Sequence, residues 1–413
     1  MKKSELNSVT VQGTFNVQQK EDPITVAELA VLAQKKLPKQ VWDYYASGAD
    51  EENAVRRNRS AFDKLILRPR VLRDVSHVDT STTLFGKKYP IPIGISPSAM
   101  QRLVGGDGEI DMAKSAASRG TTMILSSHTT CTLEEVIQAP SEGDPVNFWF
   151  QLYISQNRER CAQVIARAEA AGYQAIVLTV DTPILGNRIN ERKTPLVLPP
   201  HLSLANLHQN INNSTSNERP PEAKPTMNRI LLEARNARDA AEITAGNHDT
   251  LNDASLTWSN TISWLRSITK LKLILKGIMT AEDALLAIDH GADAIIVSNH
   301  GGRQLDSVSS TVEALPEIVN AVRGRIPVII DSGITKGSDV FKALALGADF
   351  TLVGRSALWG LSFGGQGGVE RVLDILEREL SRTMALVGAR SIGEIGKEML
   401  GVEKRDGFGI SRL

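Results

Sequence analysis

Ten side chains with catalytic or binding chemistry lie at the end of, or directly after, short apolar runs of the chain. The set contains a histidine, two carboxylates and a lysine. Histidine and carboxylate together can perform acid–base chemistry, while a lysine can stabilise negative charge or form a Schiff base with a carbonyl substrate. The ten residues are Ser126, Gln151, Tyr153, Thr179, Asp181, Lys276, Ser298, His300, Asp331 and Arg355.

The apolar runs predict the elements that must position these residues. All but one of the intervals between successive runs are close to the ~30 residues of a strand–helix–strand unit. Runs rich in Val, Ile and Leu are typical of parallel strands covered by helices. There are eight of them, and they begin at Ile91, Thr121, Asn147, Ala175, Leu271, Ala294, Ile326 and Phe350.

Eight units favour a closed (β/α)8 barrel, a TIM barrel, over an open doubly wound α/β sheet. The intervening helical stretches end at glycines, for example Gly172, Gly291 and Gly347. In such a barrel the carboxyl ends of all strands meet at one face, where catalytic residues are found. We therefore expect the ten side chains to form a polar ring, which predicts an enzyme.

One unit contains a long insertion after the fourth strand. Its middle is polar and contains prolines, so we expect a mobile loop at about 186–256. Residues 229–243 have helical periodicity, and 256–268, with two tryptophans, are predicted to form the displaced fourth helix. We also predict a flexible tail over 1–22 and a single domain over 23–413, which begins with a helical segment at 25–53.

Composition and targeting signals limit the partners. The chain has 413 residues with 47 basic and 47 acidic side chains. This charge balance argues against a protein surface that binds nucleic acid or an anionic membrane. No apolar stretch approaches the ~18 residues of a membrane span. Cys131 and Cys161 predict neither a disulfide framework nor a metal site. The terminal Ser411, Arg412 and Leu413 resemble a peroxisomal address; without import, the protein would be cytoplasmic.

Several motifs resemble the family of FMN-dependent α-hydroxy acid oxidases and dehydrogenases. The resemblance extends from about Pro23 to Leu413, apart from the long loop, and the string around His300 is highly specific. The strings that carry it are VWDYYASGADEENAVRRNR, FQLY, LTVDTPILGNR, LILKGI, IIVSNHGGRQLD, ALPEIV and DVFKALALGAD.

The resemblance implies roles for the residues that act on substrate. His300 would accept a proton from a 2-hydroxy acid, and Asp181 would stabilise the resulting cation. Arg188 and Arg303 would bind the substrate carboxylate or stabilise the transition state; the alternative is that both are surface arginines. Tyr44 and Tyr153, which in isolation would be interpreted as packing aromatics, would contact the substrate through their hydroxyls. His128 would border the pocket for the group on the α-carbon.

The resemblance also implies FMN as the cofactor. Lys276 would lie near the flavin and stabilise negative charge on its reduced form. Asp331, Gly333, Gly354 and Arg355 would surround the phosphate with backbone N–H groups and one guanidinium. The remaining flavin contacts would be Pro97, Ser98, Ala99, Ser126, Gln151, Thr179 and Ser298.

Three departures from the family pattern bear on function. Ser332 and Thr335 replace the Gly and Arg of many relatives, which removes a cationic contact to the cofactor. His128 stands where plant glycolate oxidases have a Trp, so we expect glycolate not to be the best substrate. Alternatively, His128 packs outward and the long fourth loop decides substrate size. The chain before the first helix is too short for the haem domain of cytochrome-linked members.

The expected reaction is oxidation of an L-2-hydroxy acid to the 2-oxo acid, with O2 as acceptor and hydrogen peroxide as product. The alternatives are a dehydrogenase or a lactate-monooxygenase-like enzyme of the same fold, a Schiff-base lyase that uses Lys276, and a barrel that binds flavin without catalysis. The resemblance also implies a homo-oligomer, either a tetramer or an octamer.

Overall fold

The computed structural model describes residues 22–207, 234–236, 238–239, 242–243, 252–404 and 409–413. Three short strands precede the barrel: β1 (Leu65–Leu67), β2 (Thr82–Leu84) and β3 (Lys87–Tyr89). The eight barrel strands are β4 (Ile93–Ile95), β5 (Ile124–Leu125), β6 (Trp149–Leu152), β7 (Ala175–Thr179), β8 (Lys272–Ile278), β9 (Ala294–Val297), β10 (Val328–Ile330) and β11 (Phe350–Val353).

The barrel strands are parallel, each paired with its neighbour in sequence, and β11 pairs with β4. A parallel bridge between Ile95 and Met123 joins β4 to β5, and the Ile95 N–H donates to the Thr122 carbonyl over 2.9 Å. All eight predicted strands are present, so the (β/α)8 barrel is confirmed.

Side chains of one cluster fill the barrel interior. Successive strand residues point to opposite faces, so Val177 and Ile274 belong to this cluster while Ile176 and Leu275 pack towards the helices. The β2–β3 hairpin contributes Tyr89 to the same cluster. The hairpin precedes β4 directly and so lies at the amino ends of the strands, which leaves the carboxyl ends to build a cleft.

The helices cover the barrel and its open face. Those before and between the strands are α1 (Val26–Lys36), α2 (Lys39–Ala46), α3 (Asn53–Asp63), α4 (Glu109–Ser118), α5 (Leu133–Gln138), α6 (Arg158–Ala171), α7 (Ile189–Lys193), α8 (Trp258–Ile268), α9 (Ala281–Asp289), α10 (Thr311–Val322), α11 (Gly337–Ala345) and α12 (Arg355–Val387). Helix α8 is the predicted displaced fourth helix. Among the described residues, no helix combines the length and apolar character needed to cross a membrane.

The N-terminal helical segment lies over the carboxyl ends of the strands. Helix α1 packs against α12, and the Trp42 ring stacks on Trp359 with centroids 4.7 Å apart. The Ala49 N–H donates to the Gly302 carbonyl over 2.8 Å. The segment therefore closes one side of the cleft that the strand-end loops build.

The insertion and the termini are described in part. Residues 208–233 and most of the predicted helix over 229–243 lie outside the described residues, as does the tail except Asp22, so the mobility of 186–256 and of the tail stays a prediction. The chain ends in a small antiparallel sheet of β1, β12 (Leu400–Glu403) and β13 (Ile410–Arg412).

Candidate active site

A cleft of about 1410 Å³ opens at the carboxyl ends of the strands. All of the predicted site residues line it except Asp181 and Ser298. These two lie directly behind it, bonded to His300 and Lys276. The predicted polar ring is therefore brought together in one place.

His300 and Asp181 form a half-buried pair, with side chains 19% and 12% exposed. His300 Nδ1 lies 2.9 Å from Asp181 Oδ1, while Nε2 lies 3.4 Å from the Tyr153 hydroxyl. Because an ionised carboxylate only accepts hydrogen bonds, Nδ1 carries the hydrogen and Nε2 presents a lone pair. Burial lowers the pKa of His300 below its ordinary 6.5, an effect that the charge of Asp181 opposes. A neutral imidazole thus stands ready to accept a proton.

Three neighbours keep Asp181 ionised and in place. Burial alone would raise its pKa, but the interaction with His300, the positive charge of Lys276 and the hydrogen bond from Thr182 together outweigh that effect, and the pKa is lowered. The Thr182 hydroxyl donates to Asp181 Oδ1 over 2.8 Å. Gly277 has φ +114°, and a Cβ there would lie 2.7 Å from the Asp181 Cβ. The glycine of LILKGI therefore makes room for the carboxylate, a role that the sequence analysis missed.

Two guanidinium groups place positive charge beside this pair. Arg188 is 5% exposed and lies 3.4 Å from Glu191 Oε2, and its Nε donates to the Arg303 carbonyl over 3.3 Å. The Arg303 guanidinium lies 5.1 Å from the Tyr44 ring centroid. Burial, reinforced by Arg188, lowers the pKa of Arg303 to about 10. Both line the cleft, so neither is a surface arginine.

His128 faces the cleft beside Tyr153. The two rings stack with centroids 5.3 Å apart and an interplanar angle of 23°. The backbone N–H of His128 donates to Ser126 Oγ over 3.1 Å. His128 and Tyr153 also line a smaller cavity of about 30 Å³. His128 does not pack outward, and it borders the same cleft as His300.

A buried polar wall lines the part of the cleft predicted to hold the flavin. Lys276 is 4% exposed; its Nζ donates to Ser298 Oγ over 2.8 Å and lies 3.3 Å from Asp331 Oδ2. The Gln151 amide donates to Thr179 Oγ1 over 3.0 Å. Such a cation with amide and hydroxyl groups fits the polar edge of a flavin ring.

The start of α12 suits the phosphate of the same cofactor. Gly354 precedes the helix, and no side chain caps its first turn. An uncapped helix start offers backbone N–H groups to an anion. Gly354 and Gly333 both line the cleft. The donor set therefore fits FMN, which these residues would hold with the ring near Lys276 and the phosphate near Gly354.

Two phosphate contacts differ from the expectation. The Asp331 N–H donates to the Val297 carbonyl over 3.1 Å, so the predicted contact of that group with phosphate is wrong: the group belongs to the sheet. The Arg355 guanidinium donates to the carbonyls of Tyr45, Ser47 and Gly301. Burial lowers its pKa to about 9. Arg355 anchors α2 and the His300 loop, and its contact with phosphate stays a prediction.

The departures at Ser332 and Thr335 have local partners. Ser332 adopts φ +72°, and its hydroxyl donates to Asp331 Oδ1 over 2.8 Å and accepts from the Gly301 N–H. The N–H groups of Thr335 and Lys336 donate to Asp339 Oδ2, each over 3.0 Å. A carboxylate thus fills the start of α11, where an anion would otherwise bind.

Two further residues of the site were not predicted from the sequence, one that lines the cleft and one that joins two of its loops. Arg59, on α3, lines the cleft near Arg355, whose pKa its charge helps to lower. Gln304 ties two loops together, because its amide donates to the carbonyls of Asp181 and Ile184 over 3.1 and 2.9 Å. Arg59 lies in VWDYYASGADEENAVRRNR and Gln304 in IIVSNHGGRQLD, so the motif strings were the available signal.

Comparisons with known proteins agree with this geometry. Residues 33–402 match the family model described as FMN-dependent dehydrogenase. The chain is 45% identical over 372 residues to glycolate oxidase 3 of Arabidopsis thaliana, with 90% of this chain and 94% of the relative covered. It is 43% identical over 378 residues to an L-lactate oxidase of Nostoc sp., with 92% and 98% covered.

A solved structure shows the same fold. A soluble mutant of the membrane-associated (S)-mandelate dehydrogenase from Pseudomonas putida superposes with a TM-score of 0.78 at 34% identity, and the match covers 92% of this chain and 99% of that one. The family match extends over most of the chain. The chain therefore belongs to the FMN-dependent α-hydroxy acid oxidase and dehydrogenase family, and its cofactor is FMN.

Proposed function

We propose that the protein oxidises an L-2-hydroxy acid to the 2-oxo acid and passes the electrons to O2, with hydrogen peroxide as product. The observation that carries the proposal is the His300–Asp181 pair: Nε2 of His300 faces a cleft that the guanidinium groups of Arg188 and Arg303 also line. A base beside a carboxylate-binding site is what a 2-hydroxy acid requires.

The reaction breaks a C–H and an O–H bond of the substrate. FMN, when bound, supplies the two-electron acceptor for the hydrogen leaving the α-carbon. His300 Nε2 accepts the proton, and Asp181 stabilises the imidazolium. Arg188 and Arg303 bind the substrate carboxylate and fix the α-carbon relative to His300.

Three further side chains complete these roles. The hydroxyls of Tyr44 and Tyr153 contact the substrate. Lys276 stabilises negative charge in the part of the cleft that would hold the flavin ring. Its ammonium is held between Ser298 and Asp331, an arrangement that supports charge stabilisation rather than attack on a carbonyl.

The names of the relatives support O2 as the acceptor. Glycolate oxidase and L-lactate oxidase share 43–45% identity with this chain, whereas the mandelate dehydrogenase structure shares 34%. The test is to measure peroxide and 2-oxo acid together under air. One peroxide per 2-oxo acid supports an oxidase, whereas turnover only with an added electron acceptor indicates a dehydrogenase. A decarboxylated product without peroxide indicates a monooxygenase.

The place of action in the cell is part of the proposal. Where Leu413 is the last residue of the protein, we expect Ser411, Arg412 and Leu413 to direct it to peroxisomes. In the structure Ser411 and Arg412 pair with Val402 and Gly401 in the terminal sheet. This segment must therefore leave the sheet before an import receptor can bind it. Import of a fluorescent fusion with a free C-terminus, lost when the tag is moved to the C-terminus, tests the address.

The family resemblance supports a homo-oligomer, a tetramer or an octamer. Light scattering coupled to size-exclusion chromatography of the FMN-loaded protein tests this assembly. A mass of one 44.9 kDa chain would contradict it.

A further inference from the structure

Two buried asparagines join helix α3 to the loop that carries His300. Asn58 and Asn299 are 3% and 5% exposed. The Asn58 amide donates to Asn299 Oδ1 over 2.9 Å, and the Asn299 amide donates back to Asn58 Oδ1 over 2.7 Å. Reciprocal amide bonds of this kind fix both the distance and the orientation of the two side chains.

Asn299 uses every hydrogen-bonding position of its side chain. Its Oδ1 also accepts from the Gly302 N–H over 3.2 Å, and its second N–H donates to the Ser309 carbonyl over 3.2 Å. An asparagine side chain has two donors and two acceptor positions, so none is left over. A fully satisfied buried network is rigid, and removing one member leaves the others unpaired.

The backbone of His300 needs such support. His300 adopts φ +57°, a region that costs a non-glycine residue on the order of 1–3 kcal/mol. Its N–H donates to Ser298 Oγ over 3.1 Å. The loop is therefore held on the barrel side by Ser298 and on the outer side by the Asn299 amide, with His300 between them.

We propose that Asn58 and Asn299 are positioning residues that set the orientation of the His300 imidazole towards the substrate. This inference rests on the proposed function, in which His300 accepts the proton. Asn299 acts through the backbone turn 299–302. Asn58 acts only through Asn299, because α3 supplies the fixed point from which the loop is held.

The test compares the variants Asn299→Asp, Asn58→Ala and their double combination in FMN-loaded protein. Aspartate keeps the shape but loses both N–H donors and faces the Asn58 and Ser309 oxygens. We expect kcat to fall about 10–100-fold, as for a displaced catalytic group, with KM and the Kd for FMN changed less than about twofold. The isotope effect on kcat with α-deuterated substrate should rise, because the chemical step becomes slower.

Two features of the result separate positioning from general damage. The double variant should be no worse than the poorer single variant, because residues that act as a unit are not additive. Asn53→Ala is the matched control: it lies on the same helix and bonds the same loop at Asp306 over 3.1 Å, but at the exposed end. It should keep kcat within about twofold.

Other outcomes overturn the inference. Parental kcat in either single variant would do so, as would losses in kcat that add in the double variant, or a loss confined to KM or FMN affinity. If Asn299→Asp does not fold, Asn58→Ala decides alone, since it removes only the anchoring partner. A parent protein that oxidises no 2-hydroxy acid would instead contradict the proposed function, and this inference would fail with it.

Discussion

His300 reaches its position through a backbone conformation that is uncommon for residues other than glycine. The cost is met by bonds on both sides of the residue and by the Asp181 carboxylate, which fixes the tautomer that leaves Nε2 free to accept. In the proposed mechanism the chemistry of this site depends on one nitrogen atom, His300 Nε2, whose pKa and orientation would set the rate.

The pH dependence of kcat/KM tests the pair. A base must be neutral to act, so activity is present above the pKa of His300 and is lost as pH falls through it. Burial lowers that pKa, and the acid limb of the kcat/KM profile should lie below pH 6.5.

In Asp181→Asn the acid limb should move to still lower pH, because the carboxylate that raises the pKa of His300 is gone. kcat should fall by about 10²-fold, since an amide donor at Nδ1 favours the wrong tautomer. An acid limb that does not move would refute the assigned pairing.

We expect substrate choice to be decided next to His128. The imidazole stacks on Tyr153 and leaves space that a Trp would fill, so a longer or polar 2-hydroxy acid should be preferred to glycolate. His128→Trp should shift the ranking towards glycolate by roughly 1–3 kcal/mol in kcat/KM. The measurement is kcat/KM for glycolate, lactate, 2-hydroxyoctanoate and mandelate in both proteins. Glycolate leading in the parent, or an unchanged ranking in the variant, would show that another group sets specificity.

At the scale of elements, helix α3 links the N-terminal segment to the barrel. Arg57 and Lys64 on α3 contact Glu313, which also completes the capping box of α10 with Ser310. Burial would raise the pKa of Glu313, but hydrogen bonds from Arg57 and Ser310 outweigh it and lower the pKa to about 2. One carboxylate thus fastens two helices near the loop of His300.

Glu313→Gln tests this link. The lowered pKa means that the ionised group stabilises the fold above pH 4.5 and loses this contribution as pH falls towards 2. We expect a free energy of unfolding about 1 kcal/mol lower at pH 7, since the group is partly exposed, and a smaller difference near pH 3. Urea unfolding at the two pH values measures both. A difference that grows on acidification would contradict the sign.

The sequence predicted those elements whose signal is local. Near-continuous Val, Ile and Leu runs mark the eight strands, and the residues ending them fall in one cleft because parallel strands share a direction. Contacts between distant segments could not be read in this way. Arg355 is bonded to Tyr45 and Ser47 on the N-terminal segment, and Asn58 to Asn299, because α3 folds over the loops. The prediction that the Asp331 N–H binds phosphate was wrong for the same reason, because this group donates to the Val297 carbonyl of the neighbouring strand.

At the scale of the whole molecule, the barrel has an interior filled by apolar side chains and a polar face at the carboxyl ends of its strands. The chain differs from the family pattern at Thr335, where an arginine would add a cation to the phosphate end of the cleft. Thr335 lines that cleft, and its hydroxyl donates to Asp339. A cationic side chain at position 335 would therefore point its charge at the cleft and raise the affinity for FMN.

Thr335→Arg should bind FMN more tightly. A hydrogen bond to a charged group contributes on the order of 1.5 kcal/mol, which corresponds to a Kd lower by about tenfold. Quenching of FMN fluorescence on addition of apoprotein gives the Kd for parent and variant. Thr335→Lys controls for charge without the planar fork and should give a smaller gain. An unchanged Kd would mean that Asp339 neutralises any cation placed there.

The central claim is that this cleft oxidises 2-hydroxy acids through FMN with His300 as the base. The most direct measurement is anaerobic mixing of the FMN-loaded protein with (S)- and (R)-lactate while the flavin absorbance band is followed. We predict rapid bleaching with the (S) acid only, and bleaching slowed at least about 10²-fold in His300→Gln at equal FMN content. Bleaching at the parental rate in His300→Gln, or none with any 2-hydroxy acid in the parent, would contradict the claim.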